Sequence, residues 1–180
     1  RPHAKAMAES FTWQSGGCHC GRIRFRCRVP EVLDVYKCNC SICWMRQNHH
    51  FVVTLDNFEI LCPAPAGEER VNLAGGDAIF PEVPPAARLA CEVREELESL
   101  CTEYRFNTRV AVHRFCPGCG VSPFYTPRSN PDGLAITIYC MDGYQPQNLA
   151  LKVNWHDFDG QHWEEQIKTS SITTKTPMGG

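Results

Sequence analysis

The sequence predicts a mainly β domain with clusters of cysteine on its turns and a partly helical insertion. Three observations predict it: a strictly alternating apolar and basic run, short β-rich runs beside turn sequences, and one segment of different composition. The chain of 180 residues is about one domain long, and its 43% hydrophobic and 21% charged fractions are typical of a globular protein.

The clearest predicted strand is Gly21–Pro30, in which apolar side chains alternate with arginines. A period of two places the apolar set on a buried face and the basic set on the opposite face. We expect the basic face to be solvated, and a docking surface for carboxylates or nucleic acid is the weaker alternative. The arginines are Arg22, Arg24, Arg26 and Arg28.

Further strands are predicted in four short runs. Residues Tyr104–Val112 alternate similarly and lead directly into a cysteine cluster. The turn sequence Asn130-Pro131-Asp132-Gly133 precedes a β-rich run at Leu134–Tyr139. The shorter candidates are Phe51–Thr54 and Leu149–Val153.

The segment Cys62–Cys101 is interpreted as an insertion in the β domain. It contains five prolines and a Gly-Gly pair, and its acidic residues outnumber its basic residues by eight to three. It ends in a helical pattern, because four apolar side chains recur on one helical face. Those side chains are Leu89, Val93, Leu97 and Leu100.

The predicted organisation is a single domain over residues 11–168, with the insertion at 62–101. One or two helical turns are predicted at Trp163–Lys168. Residues 1–10 and the Ser/Thr/Lys-rich residues 169–180 are expected to form flexible tails.

The N-terminal sequence lacks the apolar stretch of a secretory signal. We interpret Arg1–Ala6 as an expression remnant ahead of a plausible native start at Met7. The sequence holds no apolar run of the roughly 20 residues that span a bilayer. Its formal net charge of -2 gives no reason to expect nucleic acid or an anionic membrane as a partner. We therefore expect a cytoplasmic protein, with nuclear entry as an alternative.

The twelve cysteines are the outlying feature of the composition, and seven of them fall into three tight clusters. Disulfide partners usually lie far apart in sequence, whereas thiolates separated by one or two residues can converge on one metal ion. The clustering therefore predicts metal binding in a reducing compartment. The clusters are Cys18-His19-Cys20, Cys38-Asn39-Cys40-Ser41-Ile42-Cys43 and Cys116-Pro117-Gly118-Cys119.

A closed structural zinc site takes four ligands, whereas an open site keeps one position for an exogenous ligand. The economical partition is therefore two pairs for a closed site and three cysteines for an open one. We assign Cys18, Cys20, Cys116 and Cys119 to the closed site, because Gly118 permits the tight backbone of a zinc knuckle. The alternative is that one pair is merely buried cysteine.

Cys38, Cys40 and Cys43 supply three thiolates within six residues, and two interpretations of the site are open. An exogenous thiol could take the fourth position, because soft ligands favour a fourth sulfur and coordination deprotonates a thiol. Alternatively, the site is a structural knuckle completed by His49, His50 or another cysteine. The spacing alone does not separate the two interpretations.

The loop Phe124–Arg128 follows the third cluster and offers Tyr125 and Arg128 as candidate substrate contacts, with turn packing as an equally good explanation. Cys27 and Cys140 are expected to be core residues. The remaining cysteines have no assignment from the sequence: Cys62, Cys91 and Cys101.

At these residues the sequence resembles the family of glutathione-dependent formaldehyde-activating enzymes and centromere protein V. The order and spacing of all seven clustered cysteines match that family, including Gly16-Gly17 before the first cluster and Gly120 after the third. The segments Tyr104–Thr108 and Gly120–Pro131 look closest to centromere protein V. The resemblance covers residues 11–168 apart from the insertion, which looks longer than the family's usual connection.

The resemblance implies an Mss4-like zinc-binding β fold with two zinc ions in each chain. The structural zinc would fall on the four cysteines of the closed site. The catalytic zinc would fall on the three cysteines of the open site, with glutathione bound nearby as co-substrate. The implied activity is that of a carbon–sulfur lyase, which makes or breaks S-hydroxymethylglutathione.

Two questions stay open at the level of sequence. No general base is identifiable, and the candidates are His49, His50, His113 and Tyr125. The long insertion could cover or reshape the pocket, which leaves the substrate open. The alternative function is a non-catalytic zinc module for protein or chromatin association, because fold analogy alone does not establish an activity.

Overall fold

The computed structural model describes residues 10–61 and 90–179, which form three α-helices and twelve strands. The expectations for residues 1–9, for Cys62 and for the proline-rich part of the insertion lie outside the described residues. The helices are α1 (Ser41–Arg46), α2 (Ala90–Leu100) and α3 (Trp163–Gln166). The strands are β1 (Phe11–Gly17), β2 (Arg24–Pro30), β3 (Val32–Cys38), β4 (His49–Thr54), β5 (Phe58–Leu61), β6 (Thr102–Tyr104), β7 (Val112–Phe115), β8 (Phe124–Thr126), β9 (Gly133–Thr137), β10 (Tyr144–Gln145), β11 (Asn148–Leu149) and β12 (Lys152–Phe158).

The strands confirm the prediction of a mainly β fold. Seven of them form a sheet in the order β12-β3-β4-β9-β8-β7-β6, and β12 runs parallel to β3. A second, antiparallel sheet has the order β1-β2-β5, and β10 pairs with β11. The parallel pair joins segments that are far apart in sequence, and it forms one side of the functional site described below.

The main core cluster combines side chains from both sheets. Phe25 of β2 and Phe58 of β5 stack with ring centroids 5.3 Å apart, and Phe124 of β8 meets Phe25 and Phe58 edge-on at 5.6 and 5.4 Å. The alternation predicted for β2 is confirmed, because four apolar side chains of Gly21–Pro30 are 0% exposed. These are Ile23, Phe25, Cys27 and Val29.

The basic face of β2 was expected to be solvated, but two of its arginines contact other side chains of the domain. Arg24 is only 8% exposed and forms an ion pair with Asp142. Arg26 Nε lies 2.6 Å from a carboxylate oxygen of Glu59, and its guanidinium lies 4.8 Å from the Trp13 ring centroid. Neighbouring strands and loops therefore supply partners that the pattern of one strand cannot show.

The prediction of one strand over Tyr104–Val112 is wrong, because this run contains the loop of a hairpin between β6 and β7. β6 ends at Tyr104, which pairs with His113 of β7. Between the strands, Asn107 and Arg109 have positive φ values of 50° and 60°, and the amide of Arg109 donates to the carbonyl of Phe106 at 2.9 Å. A left-handed backbone interrupts an extended strand, whatever the alternation of its side chains.

The helical pattern at the end of the insertion is confirmed in the described part. α2 places Val93 and Leu97 in the main core cluster, where they are 1% and 0% exposed. The helix is therefore part of the packed domain. None of the helices in residues 10–61 and 90–179 is long and apolar enough to cross a membrane.

Residues 169–180 were expected to form a flexible tail, but part of this segment is folded against the domain. Residues 171–175 form a 3-10 helix, and Ile172 is only 3% exposed in a second small core cluster. The buried amide of Asn130 donates to the carbonyl of Ile172 and to Oγ1 of Thr176, both at 3.0 Å. The polar composition suggested flexibility, but one apolar side chain and a buried amide tie the segment to the domain.

Replacement of Leu97 tests whether α2 stabilises the domain core. We expect Leu97→Ala to lower the free energy of unfolding by about 2–5 kcal/mol, because it leaves a cavity among fully buried side chains. The neighbouring exposed residue supplies the control, and Glu98→Ala should change that free energy by no more than about 0.5 kcal/mol. Urea unfolding measures both, and equal effects of the two substitutions would contradict the packing of α2.

Candidate metal centres

Four cysteines from two distant turns converge into the first group, which we call the quartet: Cys18, Cys20, Cys116 and Cys119. Cys18 and Cys20 follow β1, whereas Cys116 and Cys119 follow β7. The ligand sulfurs all lie within 4.8 Å of one another. The structure therefore brings together the two pairs that the sequence assigned to the closed site.

The two turns of the quartet share one backbone pattern. The amide of Cys18 donates to the carbonyl of Ile23 at 3.0 Å, and the amide of Cys116 donates to the carbonyl of Val121 at 2.9 Å. In each turn a glycine has a positive φ, 63° at Gly21 and 73° at Gly120. Glycine adopts this left-handed conformation without steric cost, so both turns can curl their sulfurs toward one point.

The sulfur spacing of the quartet fits a tetrahedral zinc ion. A tetrahedron with zinc–sulfur bonds of about 2.3 Å has sulfur–sulfur edges of about 3.8 Å. The distance between the sulfurs of Cys18 and Cys20 is 3.7 Å, and that between Cys20 and Cys116 is 3.5 Å. Disulfide sulfurs would be about 2.05 Å apart. The donor set therefore suits a four-coordinate site for zinc or another metal.

The ionisation of the buried thiols also indicates that the quartet is a metal site. Burial raises the pKa of the Cys18 and Cys116 thiols, so these sulfurs resist ionisation without a cation. A bound metal ion supplies the positive charge that converts such thiols into thiolates. Binding of an ion would therefore stabilise the fold that brings the two turns together.

The second group, which we call the triplet, consists of Cys38, Cys40 and Cys43. Cys38 ends β3, Cys40 directly precedes α1, and Cys43 lies within that helix and is 4% exposed. Their sulfurs also lie within 4.8 Å of one another. Within residues 10–61 and 90–179, no histidine, cysteine or carboxylate adds a fourth donor to this group. His49 and His50 therefore do not complete it.

The three thiols of the triplet strongly affect one another. Hydrogen bonds from the thiols of Cys38 and Cys43 lower the pKa of Cys40 to about 2. Hydrogen bonds with Cys38 and then Cys40 raise the pKa of Cys43, and the hydrogen bond with Cys40 raises the pKa of Cys38 to about 11. One sulfur is thus readily ionised, and full ionisation of all three requires a cation. The triplet fits a soft metal ion such as zinc.

A cleft of about 500 Å³ opens beside the triplet, and both Cys38 and Cys43 line it. Its wall carries charges of both signs together with the indole of Trp44, which is 68% exposed. A small polar molecule could therefore reach the triplet from solvent. The charged and polar lining includes Lys37, His49, Asp157, Asp159 and Gln166.

The candidate general bases lie in two environments. His49 lines the cleft, its Nδ1 lies 2.7 Å from the Tyr139 hydroxyl, and burial together with Lys37 lowers its pKa. The other candidates form a buried row of rings across the large sheet. The Tyr125 hydroxyl lies 3.0 Å from Nε2 of His50, and the His113 and Tyr125 rings stack at 4.8 Å.

The two candidate substrate contacts from the sequence do not line the cleft. Tyr125 belongs to the buried row of rings, and burial raises its pKa, with a smaller contribution from the triplet sulfurs. Arg128 lies over the Trp163 ring, with its guanidinium carbon 3.7 Å from the centroid, and it pairs with Glu164 at 2.5 Å. Arg128 thus joins the β8 region to α3.

Three cysteines outside the two groups can be located. Cys27 is 0% exposed, as expected for a core residue. Cys140 is half-buried, and burial raises its pKa to about 12. Burial also raises the pKa of Cys101 to about 11. None of the three belongs to a metal-binding group of the described residues.

Sequence reasoning missed the residues that β12 and the following turn bring to the triplet. Phe158 of β12 pairs with Cys38 in the parallel register, so Asp157 and Asp159 reach the cleft. The Asp159-Gly160 pair signals a turn in the sequence. Its position beside a cysteine cluster 120 residues earlier has no local signal.

The fold and the two groups define a mainly β protein with two cysteine sites that could hold zinc or another metal. No protein-family model matches the chain. It is similar to the crystal structure of a Rhodobacter sphaeroides protein, with a TM-score of 0.50 and 22% sequence identity. That match covers 79% of this chain and 99% of the other. At this level of identity the match supports the fold alone.

Cysteine substitutions separate the two groups by their effects on metal content and stability. We expect Cys119→Ser to unfold the domain and to release its bound metal, because the quartet joins distant segments. Cys40→Ser should lose one ion and stay folded. Cys140→Ser, outside both groups, should keep two. Elemental analysis and circular dichroism test this, and one ion in the wild-type chain or unfolding of Cys40→Ser would contradict the assignment.

The buried His113 predicts a pH dependence of stability. Burial lowers the pKa of His113 from 6.5 to about 4. Between pH 6.5 and pH 4, the imidazole is therefore protonated in the unfolded chain but neutral in the folded one. The free energy of unfolding therefore falls as the pH falls through this window. We expect the wild type to lose up to about 3 kcal/mol more than His113→Phe between pH 7 and pH 4 in urea unfolding. Parallel pH profiles for the two proteins would contradict this.

Proposed function

We propose that the protein is a zinc-dependent carbon–sulfur lyase that acts on a glutathione adduct and forms or cleaves S-hydroxymethylglutathione. The observation that carries this proposal is the triplet at the wall of an open cleft, without a fourth donor from the described residues. The resemblance in the cysteine pattern supports the same chemistry.

The triplet suits the capture of a thiol. Bound zinc would supply a soft Lewis acid that stabilises the substrate sulfur as a thiolate. Cys38, Cys40 and Cys43 would hold the ion from one side and leave the side toward the cleft for the substrate. Because three thiolates give the complex a net negative charge, a further sulfur suits it better than water as a ligand.

The cleft also fits a thiol that carries both charges. Lys37 can pair with a carboxylate of glutathione, and Asp157 can pair with its ammonium group, since both side chains line the cleft. The exposed Trp44 adds an apolar surface beside them. Such a distribution favours a zwitterionic peptide thiol over a simple alkyl thiol.

The proposed reaction is an addition and needs no redox partner. In the forming direction, the glutathione sulfur attacks the carbonyl carbon of formaldehyde, a carbon–sulfur bond forms and the carbonyl π bond opens. The proton of the thiol ends on the new hydroxyl group. His49 is the candidate base that lines the cleft, and its lowered pKa keeps the ring neutral and able to accept a proton at pH 7.

The alternative function is a non-catalytic zinc module for protein or chromatin association. A specific observation favours it, because α1 exposes two large apolar side chains beside the triplet. Trp44 is 68% exposed and Met45 is 81% exposed. Exposed apolar residues of this size often mark a surface for another protein.

Glutathione titration followed by NMR, and then exchange spectroscopy with formaldehyde, separates the two functions. We expect the zinc-loaded chain to bind glutathione at millimolar concentration and to accelerate exchange between free and hydroxymethylated glutathione. Cys40→Ser should lose both effects, whereas Cys140→Ser, which lies outside both metal groups, should keep them. No binding at millimolar glutathione by the chain with two ions would contradict the lyase proposal and favour the association module.

A further inference from the structure

A turn from the far end of the chain packs against the triplet. This segment, which we call the Asp159 turn, consists of Asp159–His162 and follows β12. Phe158 pairs with Cys38 in the parallel register, and the amide of Asn39 donates to the carbonyl of Phe158 at 3.2 Å. Strand pairing therefore continues into the loop between the first two cysteines of the triplet.

Asn39 is held at its side chain and at its backbone. Its Nδ2 donates to Oδ1 of Asp159 at 2.9 Å, and its Oδ1 accepts from the amide of Gln161 at 3.1 Å. The side chain of Gln161 donates to the backbone carbonyl of Asn39 at 3.4 Å. Because Asn39 lies between Cys38 and Cys40, these contacts fix the backbone from which both sulfurs project.

Asp159 connects this network to a histidine. Its Oδ2 lies 2.8 Å from Nδ1 of His162, and its Oδ1 accepts from the amide of Gln161 at 3.2 Å. The two carboxylate oxygens therefore bind different groups, and a single amide side chain cannot replace both acceptors. Hydrogen bonds from His162 and then Asn39 lower the pKa of Asp159 to about 2, which keeps the carboxylate ionised.

Gly160 is the point where the turn touches the cysteines. A Cβ at this position would collide with Sγ of Cys38 and would lie 2.8 Å from Cβ of Cys40. Contacts this short force one of the two segments to move. The absence of a side chain at Gly160 therefore allows the backbone of the turn to approach the triplet directly.

We propose that Asn39 and Asp159 are positioning residues for the triplet, and that they set its affinity for a metal ion by holding the Cys38–Cys40 loop against Gly160. The inference rests on the proposed function only in requiring an ion at the triplet. Partners of ligand residues typically change metal affinity by 10–100-fold when they are removed. A merely structural turn would change the stability of the fold without distinguishing the two metal groups.

The test measures zinc affinity at each group of the full-length chain. Chelator competition gives the two zinc affinities. The thiolate-to-cobalt absorption of the cobalt-substituted chain, compared with that of cobalt-substituted Cys40→Ser, which lacks the triplet site, assigns each affinity to its group. We expect Asp159→Asn and Asn39→Ala to weaken zinc binding at the triplet by about 10–100-fold and to leave the quartet unchanged. Circular dichroism establishes that each variant is folded.

Asp34→Asn is the matched control, because Asp34 lies on β3, the strand that leads to Cys38, and bonds His156 at 2.8 Å and Lys175 at 2.5 Å, as Asp159 bonds His162 and Asn39. It should leave both zinc affinities at their wild-type values. Unchanged affinity at the triplet in Asp159→Asn and Asn39→Ala, or an equal loss at both groups, would overturn the positioning role alone. A wild-type chain that binds an ion only at the quartet would overturn the lyase proposal together with this one.

Discussion

The convergence of four cysteine sulfurs on one point is the constraint on which the rest of the fold depends. Cys20 and Cys116 are separated by 96 residues, yet their sulfurs lie 3.5 Å apart. The contact joins the turn between β1 and β2 to the turn between β7 and β8, and so it ties the small sheet to the large one. An ion at this point would close a long loop. The free energy of metal binding would offset the entropy that closing the loop costs.

The triplet depends on a different arrangement, since three elements meet there. β3 ends at Cys38, α1 carries Cys43, and β12 ends beside Cys38 in the parallel register. Both groups contain buried cysteines, with Cys18 3% and Cys43 4% exposed, but the triplet borders the cleft through Cys38 and Cys43. Two similar donor sets can therefore serve different purposes, because the number of donors and the neighbouring cleft, and not the type of ligand, distinguish the triplet from the quartet.

The buried row of rings in the large sheet lies close enough to the triplet for its sulfurs to affect the pKa of Tyr125. The Tyr125–His50 hydrogen bond and the His113–Tyr125 stack join three buried rings across neighbouring strands of the large sheet. Burial disfavours the charged forms of both histidines and lowers the pKa of each to about 4. These rings are consequently neutral near pH 7, and the charges beside the triplet come from side chains that line the cleft, namely Lys37, Asp157 and Asp159.

The sequence by itself determined the features that depend on near neighbours: the buried alternation of Ile23–Val29, the apolar face of α2, and the cysteine spacing that lets one ion collect three sulfurs within six residues. Period and spacing are local properties, so composition and order are sufficient to predict them. Only the tertiary structure decided that Arg24 is buried against Asp142, that Asn107 and Arg109 break a predicted strand, and that Ile172 packs into a core. The placement of the Asp159 turn against Cys38 also belongs to the tertiary structure, because parallel pairing of strands about 120 residues apart leaves no periodic pattern in either segment.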